Sequence, residues 1–240
     1  MMVDPQSRVQ TLSRTPRLVD EVVDHLRDAI IEGALPAGTP LPQVTLAAQL
    51  GVSRTPLREA LRLLETEGLI RTSANNLSVE VVEVGVDDLR DMYQLREVVD
   101  GLAARLAAQR GLTPADEQRA NALLHEMEAS TEPYNPVLRS RAHGQFHELI
   151  ALASGNARLE SFVPLIRTSS AALYLPIGRE HAQKNLLAAN PDKTYKDILN
   201  DSDAQHHEII AAIMTGDPQV AEAVARRHIQ RTIDSVTSYG

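Results

Sequence analysis

The chain has 240 residues, 43% of them hydrophobic and only 3% aromatic, with no Cys and no Trp. That composition excludes disulfides and thiolate metal sites, and it favours helix-on-helix cores of Leu, Ile, Val and Ala over a β-sandwich. A net charge of −8, with 8 Lys+Arg against 10 Asp+Glu in residues 1–80, excludes a general polyanion binder, so any DNA contact must use local positive charge, presented in two copies.

Residues 1–16 are polar, end in Thr-Pro and read as a flexible tail. Apolar residues at helical spacing, Leu18, Val22, Leu26 and Ile30, predict a helix over 18–32, stopped by Gly33. The segment GALPAGTPLP is a Pro/Gly turn region. A short helix follows over 44–50, then a turn at Gly51-Val52, with Ser53 as N-cap of a second helix running from Arg54 to near Gly68. Residues 69–84 alternate loosely around Asn75-Asn76, a pair that closes a hairpin. Beyond Val86 no strand signal survives. Helices are expected over 87–109 (capped by Asp87), 114–129, 137–153, 157–175, 202–214 and 218–236, with a loop at Asn190-Pro191-Asp192. The predicted fold is therefore mainly α: a winged helix-turn-helix over 17–84 and an all-α bundle over 85–240. No apolar run approaches the ~20 residues that span a bilayer, and the N-terminus has no signal-peptide pattern, so the expected location is cytoplasmic.

The stretch TLAAQLGVSRTPLREALRLLETEGLI has what a helix-turn-helix needs: small Ala47 and Ala48 at the crossing, Gly51 at the turn, and an apolar face of Leu57, Ala60, Leu61 and Leu64. Arg54, Arg58 and Arg62 fall at i, i+4 and i+8 on the opposite face. Arg near a recognition-helix N-terminus can pair with a guanine edge or a phosphate. The same stripe, with Glu59, Glu65 and Glu67 nearby, also reads as an ordinary solvated face.

The block LGVSRTPLREALRLLETEGLI, preceded by IIEGALPAGTPLPQVTLAAQL, resembles the signature of GntR-family regulators over residues 17–82. The resemblance implies that Ser53, Arg54, Thr55 and Arg58 form the operator-reading end of the helix and that the wing tip at Asn75 and Asn76 enters the minor groove. Two positions depart from the pattern: Val44 stands where some members carry Arg, and Asn-Asn replaces the usual wing-tip Gly.

His143 and His147 lie at i and i+4, on one helix face. His206 and His228 are 22 residues apart with the turn Thr215-Gly216-Asp217-Pro218 almost midway, so an antiparallel pair sets them at one height. Four imidazoles could then converge in one bundle, a set that suits zinc, nickel or another imidazole-accepting divalent ion. Separately hydrogen-bonded or solvent-facing histidines are the simpler alternative. His25, His125, His181 and His207 have no such partner.

DDLRDMYQLREVVDGLAARLAAQRG, GQFHELIALASGN and HHEIIAAIMTGDPQVAEAVARRHI resemble the three blocks of the FCD ligand-binding domain of the FadR-like branch. By that resemblance His147, His206 and His228 match metal-ligating positions, and His143 stands where the pattern has Asp. Arg96 matches an Arg that faces an effector cavity, where a guanidinium suits a carboxylate; a surface salt bridge to Glu97, Asp100 or another acid is the other reading. Asn156 is a second candidate effector contact, though a helix cap is its simpler role.

Together these readings predict a homodimeric repressor that binds double-stranded operator DNA and responds to a small carboxylate near a divalent metal. The competing classes are a metal-dependent hydrolase fused to a DNA-binding domain, which needs a base that Glu148 is badly placed to supply, and a dimeric scaffold with no effector.

Overall fold

The computed structural model describes residues 17–72 and 78–236. Helix α1 (Arg17–Ile31) buries Val22, Val23, Leu26, Ile30 and Ile31, the i, i+4 stripe of its sequence. Helix α2 (Gln43–Leu50) ends at Gly51, whose φ of 66° is the left-handed turn a glycine takes without steric cost. Helix α3 (Arg54–Thr66) then buries Leu57, Ala60, Leu61 and Leu64 against α1. Ser53 occupies the N-cap position without a side-chain cap bond.

The wing is a two-stranded antiparallel hairpin, β1 (Ile70–Thr72) and β2 (Val79–Val81), in register Ile70↔Val81. The Pro/Gly segment runs along its outer edge, where Leu41 N–H donates to Val79 and Val81 N–H to Thr39. Arg27 clasps Glu67 through Nε and Nη2 at 2.9 and 2.7 Å, tying α1 to the end of α3. The predicted tail at 1–16 and the wing tip at Asn75 and Asn76 lie outside the described residues.

The second part is a helical bundle. Helix α4 (Val86–Arg110) lies lengthwise along α11 (Pro218–Val236), and α5 (Pro114–Ala129), α6 (Pro136–Ala153) and α10 (Tyr195–Met214) close the core around Ala104, Leu123, Phe146 and Ile213. Between α6 and α10 stand α7 (Ala157–Glu160), α8 (Val163–Tyr174) and α9 (Pro176–Ala189).

Four expectations change here. The cap of α4 is Gly85, whose N–H is taken by Asp88, rather than Asp87. The single helix expected over 157–175 is α7 and α8, broken before Pro164, because a proline is tolerated only in a first turn. Helix α9 was not expected at all: Leu175 is extended (ψ 151°) and Pro176 opens a new helix. Helix α10 also begins earlier than predicted, at a capping box of Thr194 and Asp197.

The two parts meet along α8 and the start of α9. Ala171 and Leu175 belong to the same buried cluster as Leu26, Leu61 and Leu64. A Cβ placed on Gly68 would lie 2.6 Å from Thr168 Cα, so only glycine permits that approach.

Candidate functional site

Helix α6 presents His143 and His147, α10 His206 and α11 His228, all buried, with one ligand nitrogen from each lying within 4.8 Å of all the others. The i, i+4 spacing and the antiparallel α10–α11 pair bring them together in the way the spacing predicts.

Three of the rings are oriented from behind. His147 Nδ1 is 2.8 Å from Asp100 Oδ2, His206 Nδ1 is 2.7 Å from the Ser202 carbonyl, and His228 Nδ1 is 3.2 Å from Gln205 Oε1. Each partner is an acceptor oxygen, so each Nδ1 carries the proton and donates, leaving a lone pair on Nε2. Those three Nε2 atoms, and Nδ1 of His143, are buried with no hydrogen-bond partner.

An orphaned buried polar atom costs about 1–3 kcal/mol, and four facing one another are costly unless something takes the lone pairs. Burial first, and then the neighbouring histidines, push His143 and His206 well below the ordinary imidazole value. His228 falls likewise through burial and His147. Four neutral imidazoles, three with their other nitrogen fixed by an acceptor, form a donor set that fits a divalent ion accepting nitrogen, such as zinc.

Arg96 is fully buried and is not part of the wall of the cavity that His228 lines. Its Nε and Nη2 hold both oxygens of Asp100 at 2.9 and 2.6 Å, and its Nη1 reaches the hydroxyls of Ser169 and Ser170 at 3.1 Å each. A fork already spent on one carboxylate has little to offer a second. The Asp100 reading of its partner therefore holds, but as a buried clasp rather than a surface bridge. Burial alone would raise the Asp100 carboxyl; Arg96 and His147 outweigh it and hold the group ionised, below the usual range. Asn156 caps α7 by accepting from Arg158 N–H.

Asp100, Ser169 and Ser170 were not singled out from the sequence as site residues. Asp100 left a trace, four residues after Arg96 on the same helix; the serines, 73 and 74 residues away from Arg96, left none. A cavity of about 630 Å³ opens between α8, α9, α10 and α11. His228 and Gln205 form part of its wall, as do the cations Arg139, Arg179 and Arg231. Arg139 is bound to Asp203 at 2.5 Å, whereas Arg231 makes no ion pair among the described residues.

At the other end of the molecule Ser53, Arg54, Thr55, Arg58 and Arg62 are exposed on one side of α3. The three arginines form no ion pair among the described residues. Arg58 and Arg62 line a groove of about 360 Å³ between α3 and the wing, with Gln43, Thr72 and Ser78. Val44 is exposed at the start of α2.

The FCD domain matches residues 91–231, and the family described as bacterial regulatory proteins, gntR family, matches residues 18–76. The chain is 31% identical over 218 residues to the "Probable D-xylose utilization operon transcriptional repressor" of Paenarthrobacter nicotinovorans, covering 91% of this chain and 88% of that one. It is 29% identical to the Glc operon transcriptional activator of Escherichia coli (strain K12), covering 89% and 86%. In fold it is similar to E. coli McbR/YncC, with a TM-score of 0.64 at 23% identity, covering 94% of this chain and 98% of that one.

Proposed function

The chain belongs to the gntR family of bacterial regulatory proteins, carries an FCD domain and is a transcriptional regulator rather than an enzyme; from that premise we propose that it is a repressor whose hold on operator DNA is set by a small carboxylate bound beside a divalent ion. In this reading residues 17–84 bind DNA and residues 85–240 bind the ligand and dimerise. One α3 per protomer then reads each half of a palindromic operator, which compensates for the weak positive charge of a single copy. Ser53, Arg54, Thr55 and Arg58, with Asn75 and Asn76 of the wing, make the DNA contacts.

The observation that carries the reading is the set of four unpartnered, buried imidazole nitrogens, one of whose rings, His228, forms part of the wall of a cavity that Arg179 and Arg231 also line. His143, His147, His206 and His228 would hold the ion, zinc first, with nickel or another imidazole-accepting divalent ion as the alternative. When bound, the ion would add positive charge at the cavity wall near His228. Arg231 and Arg179 would meet the far end of the carboxylate, since Arg96 is committed to Asp100. Asn156, a cap on α7, takes no part.

Two measurements on the purified protein test this. Elemental analysis and zinc titration of wild type and His228→Ala should show one ion per protomer in wild type and at least about tenfold weaker binding in the variant. Operator fragments titrated with a panel of mono- and dicarboxylates should be released by at least one, and Arg231→Ala should blunt that release while leaving operator affinity without carboxylate unchanged. No metal uptake at neutral pH, or equal uptake by His228→Ala, overturns the metal assignment. Operator binding indifferent to every carboxylate favours a DNA-bound scaffold instead.

A further inference from the structure

Helix α8 has two working faces. Ser169 and Ser170 point into the bundle, where both hydroxyls accept from Arg96 Nη1; Ser169 in turn donates back to the carbonyls of Leu165 and Ile166. Tyr174, one turn on, packs edge-on against His143 at 5.6 Å. The same helix is pressed close to α6 beside the histidines, where Gly144 faces Ser170 Cβ at 3.5 Å from an ideal Cβ position.

Its other face lies against the DNA-binding part. Thr168 abuts Gly68, the residue after α3 and its cap, and Ala171 and Leu175 are buried with the α1–α3 core. At the next turn of chain, Pro176 touches Gly33 at the end of α1, and Arg179 Nη1 reaches the Ile31 carbonyl at 3.5 Å.

We propose that Arg96 and Asp100 are positioning residues that link the four-histidine site to helix α8, and that α8 carries the occupancy of that site to the DNA-binding part through the Thr168–Gly68 contact. The link is continuous: His147 Nδ1 to Asp100, both Asp100 oxygens to Nε and Nη2 of Arg96, Arg96 Nη1 to Ser169 and Ser170, and the adjacent Thr168 to Gly68. An ion that draws the histidine Nε2 atoms together moves or stiffens His147, and the buried clasp, beside which a void of only about 10 Å³ lies against Asp100 and His147, leaves little room to absorb the change. The Gly68 approach leaves no room either, so α8 and the end of α3 shift or stiffen together. This rests on metal binding at the histidines, and it gives Arg96 a role other than holding the effector.

Amide hydrogen exchange on the full chain, without metal and with one equivalent of zinc, tests the link. Zinc should slow exchange at the histidine helices and also, by about tenfold, in α8 and across residues 64–72. Ser169→Ala/Ser170→Ala should keep zinc stoichiometry and affinity yet lose the slowing across 64–72. The single variant Ser170→Ala, which leaves one hydroxyl on Arg96, should show an intermediate loss and serves if the double variant does not fold. Zinc uptake by wild type with no change across 64–72 overturns the coupling alone, as does full slowing in the serine variants. Absence of zinc uptake overturns the metal assignment and the coupling with it.

Discussion

Lowering the pH of the metal-free protein should unfold it well before ordinary carboxylates titrate. His143, His206 and His228 sit well below 6.5 because each is buried among the others. At high pH both folded and unfolded chains carry these groups neutral. Below 6.5 the unfolded chain takes up a proton on each while the folded one does not, so stability falls as pH falls. One such group costs about 1.4 kcal/mol at one pH unit below 6.5, and the three together about 4 kcal/mol. His147 adds in the same direction, since its burial and Arg96 outweigh the pull of Asp100. Against a typical total of about 5–15 kcal/mol, that loss puts the acid midpoint near about pH 5. Urea unfolding followed by far-UV circular dichroism at a series of pH values measures it. His143→Asn, which removes one of these four titrating groups, should reduce the slope by about a quarter to a third. A stability that is flat or rising from about pH 8 to about pH 5.5, or an unchanged slope in His143→Asn, would refute the claim that these imidazoles are held neutral by burial.

Arg58→Ala should weaken operator binding by about 1–3 kcal/mol and relax preference at one base pair if the side chain reads a guanine, while leaving thermal stability within about 0.5 kcal/mol because the residue is exposed; fluorescence anisotropy on operator variants reports both. Arg139→Met should destabilise the fold by about 3–5 kcal/mol, because it leaves the Asp203 carboxylate buried without its cation and strips a donor from the Met127 and Leu199 carbonyls. Thermal unfolding of Arg139→Met/Asp203→Leu should recover a large part of that loss, and no recovery would mean that the hydrogen bonds to the carbonyls, rather than the charge pair, carry the effect.

Local pattern was enough for most of the fold. Apolar stripes at helical spacing, as in Leu57, Ala60, Leu61 and Leu64, specify a helix and its buried side without reference to any other segment. The i, i+4 spacing of His143 and His147 and the near-symmetric placing of His206 and His228 about a Gly-Asp-Pro turn likewise foretell a shared site, because rise and twist along a helix are fixed. The start of α9 was missed because Pro176 ends one helix and opens another within a continuous apolar stretch, and periodicity alone cannot tell a kink from a new start.

The direction of Arg96 could not be read from the chain. An Arg four residues before an Asp on a helix makes the same pair whether it faces water or core. Only packing decided that α4, α6 and α8 close over it, that Ser169 and Ser170 complete its donors, and that Asp100 turns its other side to His147. The same packing brought Thr168 against Gly68, a contact between residues 100 positions apart. Sequence fixes what each residue can do within a turn or two of its own helix; which distant groups it meets, and so which buried donors are satisfied and which lone pairs are left for an ion, follows from how the helices stack.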